Sequence, residues 1–373
     1  MSSIKIIPLS GVRENGKNLY IAEIEEEIFV LDCGLRYPEN ELLGIDTVIP
    51  DFTYLEENAD RVAGVFLTHG HADAIGGLPY LLEKLEVPVF GTELTIELAK
   101  LAVQRYEPSK HFKEFHVIDC KTEIDFGSSV VSFFRTTHSI PDSVGISLKT
   151  SEGSIVYTGD FKFDQTAIPM YQTDFARLSE IGQSGVLALL STSSNAENPA
   201  TVASELQIAD EVYDNIRYWE GRIIVACVAS NLQRLQQVLD AAYRSGRKVV
   251  LTGQDFGRII KTTMKLGKLT LPDENLLVTL KEMKNYADEE ILILENQTLD
   301  LDESVADNIL LQIPLQVLSE EEKESEHYPS GNDWVVYSEA DYEQLKESKE
   351  ESTIDPRLAK LTSLFEKTEE ENE

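Results

Sequence analysis

Along the first two hundred positions, apolar and polar residues alternate in short runs broken by turn residues. IKIIPL (Ile4–Leu9), LYIAEI (Leu19–Ile24) and EIFVLDCG (Glu27–Gly34) are β-like and closely spaced, which predicts consecutive antiparallel strands. RVAGVFLTH (Arg61–His69) is an apolar strand, and IGGLPYLLEKL (Ile75–Leu85) has the three-and-four spacing of a helix start. Further strands are predicted at VVSFFRTTH (Val130–His138), VGISLKT (Val144–Thr150) and GSIVYTGD (Gly153–Asp160). After about Asn195 the rhythm becomes helix–strand–helix: Ser204–Trp219 a helix, Arg222–Ser230 a buried strand, Asn231–Tyr243 an amphipathic helix. Lys248–Gly253 is then a strand, with a helix running to Leu266. That is the pattern of a parallel α/β unit. From Ser319 the chain turns acidic (SEEEKESE), and Ser319–Ser325 reads as a linker. WVVYS (Trp334–Ser338) is an isolated possible strand ahead of a polar, frayed end.

Composition narrows the class. The 373 residues can hold two domains, and a hydrophobic fraction of 42% suits globular cores. The start lacks signal-peptide architecture, and no run reaches the roughly 18 apolar residues of a membrane span. Cys33, Cys120 and Cys227 are scattered and odd in number, which argues against a disulfide framework and for a reducing, cytoplasmic setting. With 66 acidic against 33 basic residues, the formal charge is −33. Such a field repels nucleic acid at long range, excluding a general basic surface but not a local phosphate site.

The candidate chemistry gathers at strand ends. THGHADAIGG (Thr68–Gly77) places His69, His71 and Asp73 on a turn after a strand, a donor set suited to Zn²⁺ or Mn²⁺. His138 in TTHSIPDS and Asp160 in YTGDFKFD end two more strands. Asp32 in LDCG ends a third, where it could orient an imidazole as an outer partner. His111, His116 and His327 lie in polar stretches and read as surface residues. Ser230 and Asn231 stand between a strand and a helix, with Arg234 one turn inside. Together they could hold a phosphate, or simply cap a helix beside a surface arginine.

The order and wording of GVRENGKNLY, PENELLGIDTVIPD, FLTHGHADAIGG, HSIPDSVGISLKT and TGDFKFDQT resemble the metallo-β-lactamase superfamily and, within it, the ribonuclease J family. LALLSTSSNAE and VASNLQRLQQVLDAA are similar to that family's passage into its inserted β-CASP domain. The likeness is strongest to the degraded second paralogue of Gram-positive bacteria. It implies a metallo-β-lactamase αββα sandwich over 1–200, without its usual C-terminal completion, and a shortened β-CASP parallel α/β domain over 201–318. An acidic linker and tail would follow over 319–373. It further implies that His69, His71 and His138 bind a first metal, that Asp160 bridges, and that Asp73 is a second-metal ligand or residual general base. In the family a histidine follows that aspartate; here the position is Ala74. Thr192 stands where the family has an aspartate, and the family's late histidine and HxSGH motif have no counterpart.

The resemblance thus implies an impaired RNA-processing protein holding one zinc ion (manganese being the other candidate). It would bind RNA, or assemble with itself or with an active ribonuclease J-type subunit, away from membranes. Two alternatives stand beside it: a weakly active or partner-completed 5′-exo/endoribonuclease, and a metal-free acidic interaction protein.

Overall fold

The three closely spaced apolar runs at the start do pair in sequence. In a computed structural model, which describes residues 3–38, 44–199, 203–253, 256–296 and Gly331, they are β1 (Ile4–Ser10), β2 (Leu19–Ile24) and β3 (Glu27–Leu31), joined antiparallel. After the short helix α1 (Thr53–Glu57), β4 (Val62–Phe66) lies parallel to β3 and runs into the His-x-His turn. Helices α2 (Ala72–Ile75) and α3 (Leu78–Lys84), strand β5 (Val89–Gly91), helix α4 (Glu93–Arg105) and β6 (Phe115–Val117) complete a six-stranded sheet in the order β1-β2-β3-β4-β5-β6.

The second sheet has five strands. β7 (Glu123–Asp125), β8 (Val130–Arg135), β9 (Val144–Thr150) and β10 (Gly153–Tyr157) form an antiparallel meander. Helix α5 (Phe175–Gln183) then leads to β11 (Val186–Leu190), which is parallel to β10. The inner faces of the two sheets bury Ile24, Phe29, Leu31, Phe66, Phe133, Ile146 and Ile155 in one cluster. Alternation along each strand supplies this layer, as expected for packed sheets. Helices α1–α4 cover the outer face of the first sheet through Leu55, Leu78, Leu81, Ile96 and Ala99. Cover of the second sheet is thinner: Ile181 and Leu178 of α5 meet Phe134 and Val156. This is the αββα sandwich that the resemblance implies. At its margin, β11 leaves Leu187 and Leu189 half or more exposed (50% and 64%).

The second region alternates as predicted. Helix α6 (Glu205–Tyr218) starts at Ser204, whose hydroxyl accepts from Gln207 N while the Gln207 side chain answers the cap's own N–H. Strand β12 (Ile223–Cys227), helix α7 (Leu232–Arg244), strand β13 (Lys248–Leu251), helix α8 (Phe256–Lys265), β14 (Leu277–Val278) and β15 (Ile291–Asn296) follow. All pairings are parallel, in the order β12-β15-β13-β14. Among the described residues the strand expected to be buried, β12, is instead an edge strand with Ile224 half exposed. Its unbroken apolar run reads the same at an edge as in a sheet centre, because periodicity does not report a missing neighbour.

The two regions share a continuous core, in which Leu98 and Ile140 join Leu232, Leu235 and Phe256. Gln233 N donates to Ser139 O at 3.1 Å, and Lys268 pairs with Asp142 at 2.7 Å across the same seam. The residues up to Leu299 belong to one compact unit. The predicted linker at Ser319–Ser325 and the strand at Trp334–Ser338 lie outside the described residues. No helix among the described residues is long and apolar enough to cross a membrane.

Candidate metal centre

The His-x-His turn is pressed against the segment that follows β3. A Cβ on Gly34 would stand 1.6 Å from Asp73 O, so only glycine allows this approach. Cys33 N donates to Ala74 O at 2.8 Å and Gly77 N to Cys33 O at 2.8 Å, stitching the two segments together. Asp32 adopts a left-handed conformation (φ 60°) and is fully buried. An aspartate tolerates that backbone better than most residues, and here it is held by what it accepts.

Thr68 N and Tyr157 Oη donate to Asp32 at 2.8 and 2.9 Å, and Thr68 Oγ1 lies 2.8 Å from Asp32 Oδ2. Burial pushes the Asp32 carboxyl up to about 7, against the lowering influence of His69 and the Thr68 and Tyr157 donors. Thr68 Oγ1 is also 2.8 Å from His69 Nδ1. With Asp32 ionised, the Thr68 hydroxyl proton goes to the carboxylate and Nδ1–H donates to Thr68 oxygen. Burial works against the charged form of His69, but Asp73, Asp32 and Asp160 raise it above its ordinary value; in the neutral form its lone pair is then on Nε2. That atom is buried, has no hydrogen-bond partner and lies 3.7 Å from Asp73 Oδ1. An orphaned buried nitrogen with a free lone pair is what a metal donor looks like before the cation.

His71, at the head of α2, and His138, just past β8, close on the same point. The rings of His69, His71 and His138 have centroids 4.7–5.0 Å apart and stand edge-on to one another at 77–86°. One nitrogen from each lies within 4.8 Å of the other two. His71 is bracketed by hydroxyls: Nδ1 is 2.6 Å from Ser230 Oγ and Nε2 is 2.7 Å from Ser139 Oγ. Burial and the neighbouring His69 push His71 down to about 3, and the same causes push His138 well below its ordinary value. Both rings are thus neutral, the form in which imidazole ligates.

A second group contains His69, Asp73 and Asp160. Asp160 therefore gathers with Asp73, and His69 belongs to both groups. Asn18 Nδ2 donates to Asp73 Oδ2 at 3.1 Å. Burial opposes ionisation of Asp73, but the neighbouring imidazoles, His69 at 3.7 Å foremost, hold it well below the usual carboxylate range. Ala74 is fully buried, its methyl part of the helix-side core, and it offers no donor. The three imidazoles with a nearby carboxylate match the donor chemistry of zinc.

Residues read as a phosphate site divide in the structure. Ser230 reaches His71. Asn231 Oδ1 accepts from Arg234 N at 3.0 Å and caps α7. The Arg234 guanidinium donates to Gln237 Oε1 at 2.7 Å and lies 3.9 Å from Glu205. Sequence reasoning missed Thr68, Ser139 and Tyr157. Each directly precedes or follows part of a quoted motif, and that adjacency was the available signal.

Residues 12–197 match the model of the metallo-β-lactamase superfamily, and residues 220–299 that of the β-CASP domain of ribonuclease J. Ribonuclease J 2 of Streptococcus pyogenes is 57% identical over 295 residues, covering 79% of this chain and 53% of that protein. Ribonuclease J2 of Bacillus subtilis is 49% identical over 292 residues, covering 78% and 52%.

The chain belongs to the ribonuclease J family.

It spans about half the length of the relatives it matches. The family's metallo-β-lactamase fold implies a metal, and the three-histidine group and the His69–Asp73–Asp160 group are where this member could bind one. A structure of a protein of unknown function from Enterococcus faecalis V583 shares the fold, with a TM-score of 0.54 at 14% identity over 81% of this chain and 78% of that one. A further match falls on residues 267–365, to the model of the large ribosomal RNA subunit accumulation protein YceD. It overlaps the end of the β-CASP stretch and most of the stretch read above as acidic linker and tail.

Proposed function

We propose that this protein acts in cytoplasmic RNA processing or decay as a ribonuclease J2-like subunit whose dinuclear centre is reduced to one metal position. The contrast between the two ligand groups carries this reading: three imidazoles converge on one side, with His71 and His138 held neutral, while the other offers two carboxylates and a borrowed His69. Ala74 places a buried methyl where the resemblance calls for a further imidazole.

Zinc, with manganese as the other candidate, would be held by His69, His71 and His138, with Asp160 or water as a further donor. When bound, such an ion polarises a phosphate oxygen and lowers the pKa of water. Asp32 and Thr68 keep the His69 lone pair on Nε2. Asp73, kept ionised beside His69, is the remaining base. Two-metal clamping of a scissile phosphodiester is then weak or lost in this chain alone, and the protein contributes RNA binding or assembly with an active ribonuclease J-type subunit. The exposed Leu187 and Leu189 at the β11 edge support assembly, since apolar sheet edges invite a partner. The match of residues 267–365 to a model named for large ribosomal RNA subunit accumulation supports large-subunit ribosomal RNA as the RNA class.

The test is a nuclease assay of the zinc-loaded chain on 5′-monophosphorylated RNA, with binding measured in parallel. Binding with little or no cleavage is expected. Robust cleavage that disappears in His71→Ala would overturn the impaired centre.

A further inference from the structure

On the Asp160 side of the centre, away from Ser230 and Arg234, lies a pocket of about 600 Å³ between two loops. That volume is within the range of small-molecule sites, roughly 300–1,000 Å³. One wall is the loop between β1 and β2, carrying Arg13, Glu14 and Asn15; the other is the hydroxyl run Ser191, Thr192, Ser193 and Ser194 after β11. Tyr20, Asn18, Tyr157 and Asp160 line it where the pocket meets the metal groups, and Leu189 and Leu190 at the end of β11 add an apolar margin.

The first loop is built around Glu14. Its carboxylate accepts from Gly11 N at 3.1 Å and Ser10 Oγ at 3.3 Å, and pairs with Lys17 at 3.2 Å and Arg36 at 3.5 Å. Glu14 is therefore neutralised from within. Arg13, in the left-handed region at φ 60°, is exposed and makes no ion pair or hydrogen bond to the described residues. Asn15 and Ser193 likewise have uncommitted side chains among the described residues. The opposite flank of the centre differs, because Asn231 caps a helix and Arg234 is engaged by Gln237 and Glu205. In a chain of net charge −33, a free guanidinium facing a row of hydroxyls beside the metal groups is a specific feature.

We propose that this pocket is a ribonucleotide subsite that takes one nucleoside monophosphate unit of an RNA strand. Arg13 meets the phosphate, Asn15 and the Ser191–Ser194 hydroxyls meet the ribose, and Tyr20 offers a face to the base. Guanidinium and phosphate match in charge and fork geometry. Hydroxyl and amide groups suit the donor and acceptor pattern of a sugar. This deepens the RNA-processing reading and rests on it, moving strand recognition to the Asp160 side.

The test is calorimetric titration of the zinc-loaded full chain with adenosine 5′-monophosphate, inorganic phosphate and a short single-stranded RNA, with zinc content measured on every variant. Adenosine 5′-monophosphate should bind more tightly than inorganic phosphate. Arg13→Ala should weaken it on the order of tenfold or more, as loss of a charge-assisted contact does. Ser193→Ala should weaken it about two- to tenfold, the worth of one neutral hydrogen bond, and leave inorganic phosphate unaffected. Arg234→Ala should change neither. Unaltered nucleotide affinity in Arg13→Ala with zinc retained, or a loss in Arg234→Ala instead, would overturn the subsite. A chain that binds the RNA but not the mononucleotide also overturns it and leaves the RNA reading standing. A chain that binds neither overturns both.

Discussion

The three-imidazole group and the Asp73–Asp160 group meet at His69, yet they are built to different standards. On the imidazole side, two of the three rings are placed by neighbouring side chains: Thr68 and Asp32 behind His69, Ser139 and Ser230 around His71. On the carboxylate side, Asn18 touches Asp73, and the next position contributes only a methyl to the core. On the reading proposed above, the difference teaches that a metal site is lost unevenly. The half whose supports double as fold contacts is retained, because Asp32 also ties the end of β3 to β4 and β10. The half that depends on one extra imidazole can go without disturbing the sandwich.

The sharpest way to break this comparison is to remove one donor from each side. His138→Ala should cost zinc affinity more than the ~10–100-fold that losing an outer partner costs, whereas Asp73→Asn should cost much less. Equal losses would mean that both groups share one ion symmetrically. Next in size, Thr68→Val leaves all donors in place but removes the hydroxyl between Asp32 and His69. Zinc affinity, read by chelator competition, should fall about 10–100-fold. An unchanged affinity would show that the relay does not set the His69 tautomer.

Ala74→His asks whether the missing imidazole alone explains the weaker side. Position 74 is fully buried, so the larger ring should cost about 1–3 kcal/mol of stability by overpacking. Metal content should stay at one ion. A second bound ion without loss of stability would show that the vacancy is a single-residue defect.

A smaller effect separates the sandwich from the site. Glu23 accepts from Arg61, Tyr54 and Lys5, and these partners, Arg61 foremost, hold it down at about 2 from an ordinary 4.5. A depressed carboxylate stabilises the fold fully above its unfolded value and loses that contribution as pH falls towards the folded one. Thermal melts should therefore weaken between about pH 4.5 and about 2. Glu23→Gln should flatten that part of the decline and leave zinc affinity unchanged.

Much of this was legible in the chain. The alternation that defines β1–β3 and the donors at strand ends are local properties, and the sandwich orders them as the sequence implies. What was not legible depends on neighbours. The exposure of β12 follows from its edge position. The contact between His71 and Ser230 joins residues 159 positions apart. The commitment of Arg234 to Glu205 and Gln237 depends on how α6 and α7 pack. Nothing in the sequence singles out Arg13, whose free guanidinium follows from how the loop is built around Glu14.

The most direct test of the central claim is metal stoichiometry. Chain purified with zinc and cleared of loosely bound metal should carry close to one ion, which His138→Ala should lose and Asp73→Asn retain. Two tightly held ions per chain, or none, would contradict the account.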